Sequence, residues 1–141
     1  MTRHEEREQA FALLYEYTFY PEISPSEFIS SREDLAESQY GEFAKECFAG
    51  VNENLDAIDN LIAEHSVGWK VKRMSRITKS VLRLAVYELL YSETPPKAAI
   101  NEAVELSKAY DEAKASGFVN GILNKIARDA GKISDNGQNN E

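Results

Sequence analysis

Apolar side chains return every three or four positions through most of this chain, the period of an α-helix with one buried face. The first run covers residues 3–20, where Phe11, Leu14, Tyr15, Thr18 and Phe19 share a face and Pro21 ends the pattern. Ser24-Pro25-Ser26-Glu27 then reads as a helix start, with Ser24 as N-cap, Pro25 at the first helical position and Glu27 as the capping-box partner. A long stripe over residues 38–65 follows, formed by Tyr40, Phe43, Cys47, Val51, Leu55, Ile58 and Ile62. Gly50 interrupts it; a mid-helix glycine costs about 1 kcal/mol against alanine, so its presence points to close helix packing. Val67-Gly68-Trp69 breaks the stripe.

Three further helices are predicted. Ser75 caps one over residues 76–91, with Ile77, Val81, Leu84, Ala85 and Leu89 buried. Pro96 opens one reaching residue 110, with Ile100, Ala103, Val104 and Leu106 inside. Ser116 caps the last, which carries Phe118, Val119, Ile122, Leu123 and Ile126 and ends at Gly131. No strand-like alternation persists, so the fold class is all-α: a compact bundle of about six or seven helices. Residues 1–131 form a single domain, and the polar stretch 132–141 is expected to be a disordered tail.

Composition narrows the function. With 24 acidic and 16 basic side chains the net charge is −8, which argues against a general binder of phosphate backbones. The charge is unevenly spread, however. Residues 1–68 hold 15 acids and 4 bases, whereas residues 69–141 hold 9 acids and 12 bases. The single cysteine, Cys47, lies on an apolar stripe and reads as a buried structural thiol, which favours a reducing, cytoplasmic setting. No apolar leader or membrane-spanning run is present, and no membrane partner is expected. Nucleotide-binding, hydrolase and zinc-protease motifs are absent, and His4 and His65 have no Cys or second His at metal spacing; no catalytic residue, metal or cofactor is predicted.

The informative segment is basic. Residues 66–87 contain no acid, and Arg76, Lys79 and Arg83 fall on one helical face. That face is either a solvated stripe that pairs with the acidic first half, or an anion-binding surface beside the helix start at Ser75. Lys114, Lys125, Arg128 and Lys132 surround the last helix. Phe118, near its start, is either core or a ring on which a single-stranded base stacks.

Several motifs in order then carry a resemblance. Residues 7–15 (REQAFALLY), Ile58-Asp59, residues 81–90 (VLRLAVYELL), Pro96, residues 100–106 (INEAVEL) and residues 118–123 (FVNGIL) together resemble the NusB family of transcription antitermination factors. The match covers about residues 3–130. The resemblance implies an all-helical fold in two sub-lobes, without catalysis. It implies binding of boxA RNA, mainly in ribosomal RNA operons, together with ribosomal protein NusE, and a link to elongating RNA polymerase through other Nus factors.

By position, the resemblance places RNA contacts at Arg3, His4, Arg7, Ser75, Arg76, Lys79, Phe118 and Asn120, and NusE contacts at Tyr15 and Thr78. Two departures stand out. Glu5 and Glu6 occupy a stretch that is arginine-rich in many members, and Thr78 stands where the family often has an acid. Alternatives are a protein-only helical adaptor with weak RNA binding, a recruiting domain of an RNA methyltransferase, and a homodimer that hides the RNA surface.

Overall fold

The computed structural model describes residues 1–35, 39–66 and 71–134, without the side chains of Leu35 and Lys72. Its elements are seven α-helices and one 3-10 turn, Val71–Arg73. The helices are α1 (Arg3–Tyr17), α2 (Pro25–Leu35), α3 (Glu42–Glu53), α4 (Leu55–His65), α5 (Arg76–Tyr91), α6 (Pro96–Tyr110) and α7 (Ala115–Asp129). The all-α expectation holds. The expected break at Val67-Gly68-Trp69 and the stretch from residue 135 lie outside the described residues.

Helix α5 is the axis of the molecule: α1, α3, α4, α6 and α7 all pack on it. It is therefore buried on more than the one face its periodicity indicates. Leu82 and Val86 are fully enclosed along with Val81, Leu84, Ala85 and Leu89, while Ile77 is only half-buried. The α1, α2 and α3 group forms one sub-lobe and α6 with α7 the other.

Local chemistry sets the helix ends. Thr2 and Glu5 form a reciprocal capping box at α1. Ser24 accepts from the Glu27 amide at 3.2 Å and starts α2 as its sequence indicates. Ser75 accepts from the Thr78 amide at 3.0 Å and starts α5. At the end of α7, Gly131 takes φ +73° while its own amide bonds the Arg128 carbonyl and that of Lys132 bonds the Ala127 carbonyl, a Schellman ending. The chain then turns inward, so the core continues past residue 131 to Ile133, which is 3% exposed.

Three boundaries differ from expectation. The long stripe is two helices, because Asn54 leaves helical geometry (φ −115°, ψ 21°) between α3 and α4. Ser116 does not cap α7; the helix starts at Ala115, with Lys114 at the cap position, and Ser116 donates back to the Ala113 carbonyl. Helix α1 ends at Tyr17, which leaves Phe19 beyond the cap and half exposed, while Leu13 is buried beside Leu14 because α3 and α5 flank α1 together.

Gly50 behaves as its position in the stripe implies. A Cβ there would lie 2.0 Å from a Tyr87 ring carbon, so only glycine lets α3 seat against that ring on α5. Cys47 is fully buried; burial, with Glu88 nearby, pushes its thiol pKa far up, which makes it inert packing.

Candidate nucleic-acid interface

The residues expected to meet RNA fall into separate places. Arg3 and His4 project from the start of α1, and Arg76 meets the other end of that helix, where one Nη donates to the Thr18 carbonyl at 2.7 Å. At 1.5 Å per residue these ends are about 20 Å apart.

At the first place, exposed Arg3 lies 3.9 Å from the Phe43 ring centre and 3.9 Å from Glu6. His4 bonds Glu102 of α6 at 2.9 Å. That hydrogen bond, then the Glu102 charge, raise the His4 pKa above its ordinary value. Arg7, expected at the surface, is buried instead. Its guanidinium forks onto Glu88 and approaches Glu102 at 3.6 Å. Burial works against its charge, but Glu88 and then Glu102 outweigh that and raise its pKa.

The acids in this stretch also have structural partners. Glu5 caps its own helix, and Glu6 accepts from the Phe43 amide at 3.0 Å, at the start of α3. Gln9 adds a bond to the Gly41 amide, so one face of α1 closes the amino end of α3. A side chain on Gly41 would collide with the Glu6 carboxylate.

At the second place, Ser75 and Phe118 line one cleft of about 380 Å³ between the start of α5 and the α6–α7 turn. Phe118 is half-buried, with one side on the core. Met74 forms part of the apolar lining, and Arg73 and Lys114 bring positive charge. Asp111 and exposed Glu112 line the cleft too, two acids beside its two cations; Asp111 Oδ2 accepts from the Thr78 hydroxyl at 2.6 Å and Oδ1 from the Glu112 amide at 2.8 Å. An aromatic wall with cations at the rim suits a nucleobase and its phosphate. Arg73, Met74 and Lys114 were not among the expected contacts. The acid-free run pointed to Arg73, and Lys114 lies one helical turn before Phe118.

The remaining expected residues lie elsewhere. Lys79 and Arg76 line a different groove on the opposite flank of α5, with Arg83, which forks onto Asp59 at 2.9 Å. Asn120 is exposed on α7, where its carbonyl and side-chain oxygens accept from Asn124. Thr78 is 8% exposed and bonded to Asp111, so it does not offer its side chain to a partner as expected.

Tyr15 does reach the surface. It packs edge-on to Phe19 at 5.4 Å and near Phe11, which in turn stacks on Tyr110 at 5.1 Å. This aromatic stripe, with Phe19 and Tyr110 about half exposed, runs along α1 and ends under Arg76, 4.3 Å above the Phe19 ring. Such a patch is what a protein partner buries.

No three described His, Cys, Asp or Glu residues are grouped to hold a metal ion, and no described helix is long and apolar enough to cross a membrane. His65 bridges the Leu61 carbonyl and Asp129, each at 2.7 Å, and so ties α4 to α7.

Comparisons with known proteins agree with one another. The sequence pattern of the NusB family matches residues 4–128. The chain is 42% identical over 139 residues to the transcription antitermination protein NusB of Desulfovibrio desulfuricans, covering 90% of this chain and 85% of that protein. It is 40% identical to the protein of the same name from Nitratiruptor sp., covering 91% and 93%. Among solved structures, T. maritima NusB superimposes with a TM-score of 0.80 at 34% identity, covering 91% of this chain and 92% of that one. A crystal structure of antitermination factors NusB and NusE in complex with dsRNA contains a chain that matches with a TM-score of 0.75 at 29% identity, covering 92% and 99%.

Proposed function

Since the chain belongs to the NusB family, we propose that it is a transcription antitermination factor that binds boxA-type RNA together with NusE. It acts on elongating RNA polymerase in ribosomal RNA operons, through other Nus factors, in the cytoplasm. It works by binding alone, without catalysis or a cofactor. The observation that carries the reading is the cleft in which Ser75 and Phe118 meet, rimmed by Arg73 and Lys114. A base stacks on Phe118, the cations hold its phosphates, and Arg3, His4 and Asn120 extend the contact. The aromatic stripe at Tyr15 receives NusE.

Glu5 and Glu6, which the resemblance sets beside the RNA contacts, keep their charge while accepting hydrogen bonds at helix starts. A transcription assay tests the function: RNA polymerase with the remaining Nus factors reads a boxA-bearing template past a terminator. Adding the chain raises read-through, and a scrambled boxA removes the gain. Equal read-through with and without the chain would overturn the proposal.

A further inference from the structure

A groove of about 350 Å³ opens between the end of α1, Pro21, the α3–α4 junction and α5. Arg76, Lys79 and Arg83 line it at successive turns of α5. Arg83 is committed to Asp59 through two bonds of 2.9 Å. Arg76 holds the Thr18 carbonyl through one Nη and keeps its other N–H groups. The Lys79 ammonium makes no hydrogen bond or ion pair among the described residues. A half-buried ammonium between two guanidiniums, in a chain of net charge −8, is a charge left without its counterpart.

We propose that this groove binds a single phosphate group, held by the Lys79 ammonium and the free N–H groups of Arg76. Burial, then the charges of Arg83 and Arg76, hold the Lys79 pKa below the usual amine range, with Asp59 opposing only in part. An incoming oxyanion relieves that repulsion. The apolar wall of Leu14, Tyr17, Pro21, Val51 and Leu55 reduces screening, which strengthens charge-assisted bonds inside the groove.

The site suits one phosphate rather than a polyanion laid along it. The walls from α1, α3 and α4 carry no cation, and Arg83 is already bonded to Asp59, so a second phosphate finds no charge to hold it. Tyr17 offers no free ring for a base, since it packs on Phe28 and Phe48 and its hydroxyl donates to the Ile23 carbonyl. The phosphate has two sources: a phosphodiester of bound RNA, which rests on the function proposed above, or free phosphate.

The test follows backbone amide shifts of the full chain by NMR as inorganic phosphate is added, with chloride keeping ionic strength constant. Saturable shifts centred on Thr18, Asn52 and Lys79 are expected. Lys79→Gln weakens them about tenfold or more, since one charge-assisted bond is lost. Lys97→Gln, which removes an exposed charge on α6, leaves them unchanged. No saturable shift at these residues, or equal shifts in Lys79→Gln, overturns the proposal.

A second arm separates the sources. If RNA supplies the phosphate, Lys79→Gln lowers boxA affinity and its salt slope by about one. If free phosphate is the ligand, RNA affinity stays as it was. The first arm contains no RNA, so failure of the RNA reading would not be mistaken for failure of the groove.

Discussion

Arg7 of α1 forks onto Glu88 of α5, with Nε 3.0 Å from both carboxylate oxygens and Nη2 2.9 Å from Oε1. The pair is buried, and Thr94 adds a hydroxyl donor to the same carboxylate at 2.9 Å. It joins the first helix to the central one from within the stretch where the family resemblance sets RNA contacts.

Arg7→Ala leaves Glu88 charged in the interior with only the Thr94 hydroxyl on it, and should destabilise the fold by about 3–5 kcal/mol. Glu88→Gln leaves Arg7 its longer 3.6 Å contact with Glu102 and should cost less than that. The double change Arg7→Met, Glu88→Leu should recover most of the larger loss, less about 1 kcal/mol for the stranded Thr94 hydroxyl. Urea unfolding measures both. RNA affinity of the folded double variant should match that of the parent; a large drop would mean that Arg7 contacts RNA after all.

Thr78 donates to Asp111 at 2.6 Å and is nearly enclosed. Placing the family's more frequent acid there, as Thr78→Glu, sets two carboxylates together without a cation between them. Stability should fall by several kcal/mol at neutral pH, with part of the loss recovered in acid as one carboxylate takes a proton. Thermal melts at two pH values decide this. Unchanged stability would show that Asp111 swings out to solvent.

Phe118 is half-buried at the cleft wall. Phe118→Ala should lower stability by about 1–2 kcal/mol, less than the ~3–5 kcal/mol of a fully enclosed phenylalanine. RNA binding should weaken by about 1–3 kcal/mol through lost stacking. A large melting change with intact RNA affinity would mark Phe118 as core alone.

His4 faces Glu102, Glu8 and, within the same group, Arg7. The Glu102 hydrogen bond, followed by its charge, raises the folded pKa above 6.5. The stabilisation is thus complete below pH 6.5 and fades as pH rises through the raised folded value. Stability between pH 6 and 8 should decline more steeply in the parent than in Glu102→Gln, with His4 titration followed by NMR. Equal slopes would remove Glu102 as the cause.

Much of the fold was legible because helix periodicity and capping act locally. Ser24, Ser75 and Gly131 each mark an end through bonds within a few residues, and Pro96 through its fixed φ and missing N–H. What required three dimensions was the surroundings of each helix. Periodicity gave α5 one apolar face, yet five helices surround it. Asn54 carries no sequence signal strong enough to split α3 from α4. The site was legible in its types rather than its placement: Arg7 has the side chain of a phosphate contact, but its partner lies 81 positions away. Arg76 and Phe118 lie near the same helix start, yet on opposite flanks of it.

The most direct measurement of the central claim is a titration of labelled boxA RNA by the chain, with and without NusE, across a salt series and against a scrambled RNA of equal length. Preference for boxA, tighter binding with NusE, and log affinity falling linearly with log salt are expected. Equal affinity for boxA and scrambled RNA, both with and without NusE, would contradict it.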